Sequence, residues 1–453
     1  MTESDDNRRP RGQAEGWVAD RVRRTILPSY RLLFPRNRTN PMTYLGLLTF
    51  VSFIVLALSG VGLMLYYSPD FTNSYSSVSQ ISSQVPFGLD LRDIHYYASD
   101  LMVLLALAHF FYLYFAGRYR FHNEVLWVTG VIFGFLTVID AYTGYVLVMN
   151  ERAMFAANIG LGLLNSISPS LQVLLAGNSY ADLVLRVYTL HIMVIPLIMG
   201  LLVLVHFPRV LTIDLPVISW VTGATVIVAG LFPVPLGQQF VPNAAAPITV
   251  PEWYLSGIYA FLRTGLPVFV AGVFLPFLLL FLFTLIPFYD RMKTRSSVLR
   301  KLIIAFGVAV VAQAVLVAIW GVSSADLGSA LASQAEVVID PATFWGAFLL
   351  VGSASMLATW FLFPKRIIPA WTTRIGTGGP YSMGSSAWVI ACLAGAQIVL
   401  LALAVFEHSA NPGLSLVGVG VATVLFGLVL RVYLDSTNGK SGKQVAAREI
   451  QQM

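Results

Sequence analysis

The chain has 453 residues, of which 57% are hydrophobic and 11% charged, and its mean hydropathy is +0.75. That balance excludes an ordinary water-soluble globule and requires much of the chain to meet lipid. The net charge of +6 is sorted by loop as the positive-inside rule demands, which argues against nucleic acid as a partner.

Residues 1–40 form an Arg-rich segment holding Arg8, Arg9, Arg11, Arg21, Arg23, Arg24, Arg31, Arg36 and Arg38. Within it, 15–34 ("EGWVADRVRRTILPSYRLLF") mixes apolar residues with arginines. This fits an amphipathic helix on the inner membrane surface and equally a plain basic tail. No small-residue cleavage site follows, so a removable signal peptide is not expected.

Runs apolar enough to cross roughly 30 Å of hydrocarbon follow at 43–67, 95–117, 125–148, 182–207, 217–235, 268–290, 301–323, 342–364, 386–407 and 413–434, about ten in all. The expected fold class is therefore an all-α polytopic membrane protein. Basic residues mark alternate connections: Arg118 and Arg120; Arg209; Arg291, Lys293 and Arg295; Lys365, Arg366 and Arg374; and the tail with Lys440 and Lys443. The intervening stretches 68–94, 149–181, 236–267, 324–341 and 408–412 carry few. This alternation puts them outside and both termini in the cytoplasm, in a cytoplasmic membrane of prokaryotic type. The single cysteine, Cys392, lies in a late run and can supply neither an intrachain disulfide nor a thiolate cluster.

The second run carries His95 and His109, and the fourth carries His191 and His206, spaced 14 and 15 residues apart. At about 3.6 residues per turn both spacings are near four turns, so each pair shares one helix face. With both helices running from outside to inside, His95 lies level with His191 and His109 with His206. Each pair can ligate one haem iron axially through imidazole nitrogen, an outer and an inner site in a six-coordinate electron-transfer arrangement. A packing or proton-relay role is the alternative for any one histidine. Gly46 and Gly60 in the first run and Gly130 and Gly144 in the third are also 14 apart, and missing side chains let a flat macrocycle approach the backbone. Small residues at helix contacts would explain each pair separately. These runs are expected to form an N-terminal four-helix haem-binding bundle.

Arg92 and Arg186 precede the outer histidines and can serve haem propionates or anchor at headgroup level. Asp100 and Asp140 sit deeper than lipid tolerates without a function or a partner, which suggests a proton route or a hydrogen bond near the outer haem. Pro196 is expected to bend its helix and adjust the ligand angle. His122 and His408 have no partner at helical spacing and receive no ligand role.

The segment 250–265, "VPEWYLSGIYAFLRTG", together with "NPMTYLGLLTF", "WVTGVIFGFLTVIDAYTGY" and "LRVYTLHIMVIPL", resembles cytochrome b of the quinol-oxidising bc-type complexes over roughly residues 40–300. The 15-residue histidine spacing is similar to the photosynthetic branch, although this chain continues unbroken through the PEWY motif. That branch tethers an extra haem through a cysteine; Tyr44 stands at the matching position, so no covalent haem is expected. The family's Gly-Tyr-Ser-Leu-Pro-Trp stretch reads "GYVLVMNE" here, which alters the expected quinol pocket.

The resemblance implies quinol or quinone as substrate, two haem b groups, a Rieske iron–sulfur partner, a c-type cytochrome or other high-potential acceptor, and a homodimer in lipid. It implies that Glu252, Tyr254 and Tyr145 serve quinol oxidation. Independently, burial beside Pro251, Trp253 and Tyr254 would make Glu252 a usable proton acceptor, unless the segment is only an interfacial belt. The expected divisions are the segment 1–40, a dihaem bundle at 41–211, a quinol-site region with four further helices at 212–366, and two extra helices with a tail at 367–453. A dihaem anchor that feeds another redox subunit without bifurcation explains the histidines but not PEWY. A proton-coupled transporter explains the intramembrane histidines and aspartates but requires no haem.

Overall fold

The computed structural model describes residues 31–33, 41–120, 123–207, 210–242, 251–290, 298–326, 340–362 and 383–452. The helices in chain order are α1 Leu45–Met64, α2 Ser74–Ser83, α3 Gly88–Ala116, α4 Glu124–Val146, α5 Glu151–Ile167, α6 Pro169–Ala176 and α7 Tyr180–His206. There follow α8 Leu215–Leu231, α9 Ser256–Leu262, α10 Val270–Tyr289, α11 Val298–Asp326, α12 Pro341–Leu362, α13 Met383–Glu407 and α14 Pro412–Gln452. Among the described residues nine helices are long and apolar enough to cross a membrane.

Sequence and structure differ at four places. The run 217–235 becomes α8, whose 17 residues span only about 25 Å at 1.5 Å each. Phe232 leaves helical geometry, and Pro233 and Pro235 cannot continue a helix. The connections 68–94 and 149–181 are themselves largely helical, holding α2, the start of α3, α5 and α6. Arg31–Leu33 form a strand, β1, paired in parallel with β2, Val210–Thr212, instead of the end of an amphipathic helix. The rest of 15–34, like His122, lies outside the described residues.

Helix ends follow local chemistry. Gly117, left-handed at φ 65°, closes α3, a conformation that costs glycine little. Asn150 caps α5 by accepting the Ala153 N–H at 2.7 Å, satisfying an otherwise orphaned donor.

The four helices α1, α3, α4 and α7 form the bundle. Its middle is an apolar layer of Met102, Ile195 and Met199, packed by Phe53, Leu56, Phe133 and Leu136. Near the His109 end, Tyr114, Tyr119, Trp127 and Phe283 knit α3 and α4 to α10. There Asp290, 1% exposed, accepts the Tyr119 hydroxyl at 2.6 Å and lies 3.4 Å from Arg120 Nε. Arg300 Nη1 stands 3.5 Å from the same carboxylate. Its Nη2 donates to the carbonyls of Tyr114 and Phe115 at 3.2 and 2.7 Å, placing a cation on the C-terminal carbonyls of α3.

The last two helices pack on this chain itself. A methyl on Gly223 would lie 2.7 Å from the Gly420 carbonyl oxygen, and one on Gly230 would lie 2.6 Å from that of Gly413. Such glycine contacts let α8 and α14 approach backbone to backbone, as helix pairs do in lipid. The Ser415 hydroxyl donates to the Ala404 carbonyl at 2.7 Å, tying α13 to α14. At their turn, His408 stacks on Phe87 at 4.1 Å and its Nδ1 lies 3.6 Å from Asp90 Oδ2. His408 thus latches the extension to the start of α3.

Candidate functional site

The histidines lie at two levels of the bundle. The His95 and His191 rings face each other with centres 6.3 Å apart and planes at 80°; that separation leaves room for one metal bonded to both at about 2 Å. His109 and His206, seated on Gly46 and Gly130, lie at the other end of the same two helices.

Their spacings differ because the helices differ. Helix α3 is regular from His95 to His109. In α7, residues Leu190–Val194 form a π-helical turn that contains His191. A π turn takes up one extra residue, so 15 residues in α7 match 14 in α3. Pro196, in the first turn after it, has no N–H for the Ile192 carbonyl and its ring crowds that oxygen, which favours the wider turn. The same device recurs where the π turn Val270–Phe274 precedes Pro276.

Each glycine of the two 14-residue pairs backs one histidine. A methyl on Gly144 would lie 2.6 Å from His191 Cε1, on Gly130 2.8 Å from His206 Cε1, on Gly46 2.9 Å from His109 Cε1, and on Gly60 3.2 Å from His95 Cε1. The imidazoles therefore rest directly on helix backbone.

A hydroxyl one residue before the glycine holds three of the four rings. Ser59 Oγ lies 2.9 Å from His95 Nδ1, Thr129 Oγ1 3.2 Å from His206 Nδ1, and Thr143 Oγ1 3.3 Å from His191 Nδ1. Each hydroxyl hydrogen is already given to a backbone carbonyl, of Val55, Val125 and Asp140 respectively. The oxygen is then left to accept, so Nδ1 carries the proton and the Nε2 lone pair is free for a metal. Leu45 precedes Gly46, and His109 Nδ1 is buried without a hydrogen-bond partner among the described residues. These Ser-Gly and Thr-Gly pairs are visible in the sequence and escaped the reading from histidine and glycine spacing. The donor set, its tautomers and the glycine seats fit haem b.

A polar pocket adjoins the His95 end. Glu252, 5% exposed, accepts the Tyr96 hydroxyl at 3.2 Å and lies 3.6 Å from Arg152 Nη1. Burial pushes its carboxyl above the ordinary range and Arg152 pulls it back. Arg152 also donates to the Pro251 carbonyl at 3.4 Å. The Trp253 indole donates to Asp100 Oδ1 at 2.9 Å, which fixes the PEWY turn on α3. The Tyr145 hydroxyl is buried without a hydrogen-bond partner among the described residues, and Tyr254 packs edge-on against Trp253 at 5.7 Å. Burial, then Glu252, raises the Tyr254 hydroxyl well above its usual value. The structure thus gathers Glu252, Tyr254 and Tyr145 in one place and adds Tyr96 and Arg152. No motif or period in the sequence marked those two, because both come from other helices.

The two arginines have backbone partners. Arg92 donates to the carbonyls of Val234 and Pro235 at 2.9 and 3.4 Å and pairs with Asp93 at 3.6 Å. Arg186 donates to the carbonyls of Val173 and Leu174 at the end of α6. Both guanidiniums donate to backbone oxygens that close the surrounding loops. Asp140 Oδ1 lies 3.1 Å from His191 Nδ1, the hydrogen-bond alternative for that residue. His408 has its Asp90 partner from another helix, which helical spacing could not reveal.

The family models described as cytochrome b/b6/petB and cytochrome b(C-terminal)/b6/petD match residues 33–213 and 242–339. A cytochrome bc complex cytochrome b subunit of Chlorobaculum thiosulfatiphilum is 26% identical over 300 residues, 58% of this chain and 69% of that protein. Cytochrome b6 of Heliomicrobium gestii is 32% identical over 178 residues, 38% of this chain and 84% of that protein. The solved structure titled "Hyperthermophilic respiratory Complex III" shares the fold with a TM-score of 0.55 at 19% identity, covering 76% of this chain and 95% of that one. With both halves of the family pattern in order on one set of membrane-spanning helices, this chain belongs to the cytochrome b/b6 family, as an integral membrane, b-haem-carrying oxidoreductase subunit of the bc type.

Proposed function

We propose that the chain oxidises quinol in the pocket at the His95 end, which faces the outside. One electron leaves to a Rieske iron–sulfur protein, and from there to a c-type cytochrome or other high-potential acceptor. His95 with His191, and His109 with His206, would each hold one haem iron. Haem b at these two levels would supply one-electron carriers between the quinol pocket and a quinone-reducing site on the cytoplasmic face.

Conversion of quinol to quinone releases two protons and two electrons. Glu252 is the proton acceptor: buried, it favours the neutral acid, and Arg152 keeps a carboxylate available to receive. The Arg152 side chain, 40% exposed, reaches from Glu252 to the edge of the pocket. Proton release outside and uptake inside make the reaction electrogenic. Tyr145 and Tyr254 shape the pocket, and Asp100 holds Trp253 in place. Residues 41–211 form the dihaem bundle and 212–366 the quinol region; the assembly is a homodimer.

The observation that carries this reading is the hydrogen bond from Tyr96 to Glu252, which sets a buried proton acceptor one residue along α3 from His95. The test is a dithionite-reduced haem spectrum of the purified complex. Two b-type haems per chain are expected, and one or none sinks the proposal.

A further inference from the structure

We propose that Asp140 sets the potential of the His95–His191 haem below that of the His109–His206 haem, by accepting the Nδ1 hydrogen of His191 on its carboxylate. This rests on the two-haem reading above.

The four ligand histidines differ in what their Nδ1 atoms meet. His95 and His206 meet neutral hydroxyls, at 2.9 and 3.2 Å. His109 Nδ1 is buried and has no hydrogen-bond partner among the described residues. Of the four, and among the described residues, only His191 meets a carboxylate: Asp140 Oδ1 and the Asp140 carbonyl both lie 3.1 Å away, with Thr143 Oγ1 at 3.3 Å. The Thr143 hydroxyl donates to that same carbonyl at 2.8 Å, so one turn of α4 holds the whole acceptor group.

A carboxylate drawing on the Nδ1 hydrogen enriches Nε2 in electron density and makes imidazole a stronger donor to a bound metal. A stronger donor favours ferric over ferrous iron and lowers the potential. The neutral hydroxyls do this weakly, and the unpartnered Nδ1 of His109 does it not at all. The chain thus places its strongest donor at the level beside Glu252 and its weakest at the opposite end. Electron flow from the quinol pocket inward then runs downhill. Asp140 is a positioning residue: it acts through His191 and touches neither quinol nor iron.

Asp140→Asn isolates the charge, since the backbone carbonyl and an amide oxygen remain as acceptors. The experiment is an equilibrium redox titration of the intact complex, with the two haems followed by their visible bands. The Asn variant is expected to raise the lower of the two midpoints and leave the upper one in place. The electron-sharing equilibrium between the haems should change about tenfold, ~59 mV for a one-electron couple. A lower midpoint that stays put, or two midpoints that move together, overturns the proposal. Leu45→Ser is a second arm, because it puts a hydroxyl before Gly46 where the other three seats have one. It should lower the upper midpoint, and a shift of the lower midpoint instead overturns the assignment. Absence of haem from the wild-type complex would overturn the two-haem reading itself, a result distinct from both.

Discussion

The two ends of the bundle use charge in opposite ways. At the His109 end the charged residues staple helices together: Asp290 gathers Tyr119, Arg120 and Arg300, and Arg300 closes the carbonyls of α3. At the His95 end the carboxylates of Glu252, Asp100 and Asp140 meet a guanidinium, a tyrosine, an indole and the His191 imidazole. One end is a buried ion cluster gathered on a single carboxylate oxygen of Asp290, and the other a set of single contacts that a proton or an electron can perturb. Burying charge is costly in either case, yet only the first arrangement returns that cost as rigidity.

The comparison can be broken most severely at the histidines. His206→Leu should abolish one haem and leave the His95–His191 haem in place, read as a halved reduced-minus-oxidised spectrum. Loss of both would mean that the two levels are not independent. At the stapled end, Asp290→Ala removes the shared acceptor of a buried ion cluster and should cost about 3–5 kcal/mol, measured as a lowered unfolding temperature of the solubilised complex with haem content intact before melting.

At the other end Glu252→Gln should lower quinol oxidation about 100-fold, the lower range for loss of a positioned base, while thermal stability barely changes. Because burial raises the Glu252 carboxyl, the receiving carboxylate fills only as pH rises through that raised value. The acid limb of the rate should therefore lie above the value of about 4.3 of a free glutamate, and the Gln variant should lack it. An unchanged acid limb in the variant would assign the proton to another group. The smallest effect is expected for Pro196→Ala. It restores an N–H to the turn beside the π segment and should shift the spectrum of the His95–His191 haem alone.

Much of this was legible in the sequence. Apolar runs of sufficient length fix a membrane class because lipid thickness is constant, and the 14-residue histidine and glycine periods fix faces because the helix repeat is constant. The π turn in α7 was legible only as an odd spacing of 15; its cause emerged when the turn and Pro196 were seen together. The short α8 was misread because hydropathy continues past Leu231 while two prolines end the helix.

By itself, then, the sequence determined the class, the helix faces and the candidate ligands, all properties set by residues near one another along the chain. Tertiary structure alone decided which glycine seats which histidine, that Asp140 turns to His191, that Arg92 and Arg186 close loops, and that His408 latches the C-terminal helices to Asp90. It also decided that Tyr96 reaches Glu252 across 156 positions of sequence. The reason is physical: a side-chain hydrogen bond acts over about 3 Å, and only packing brings distant helices that close.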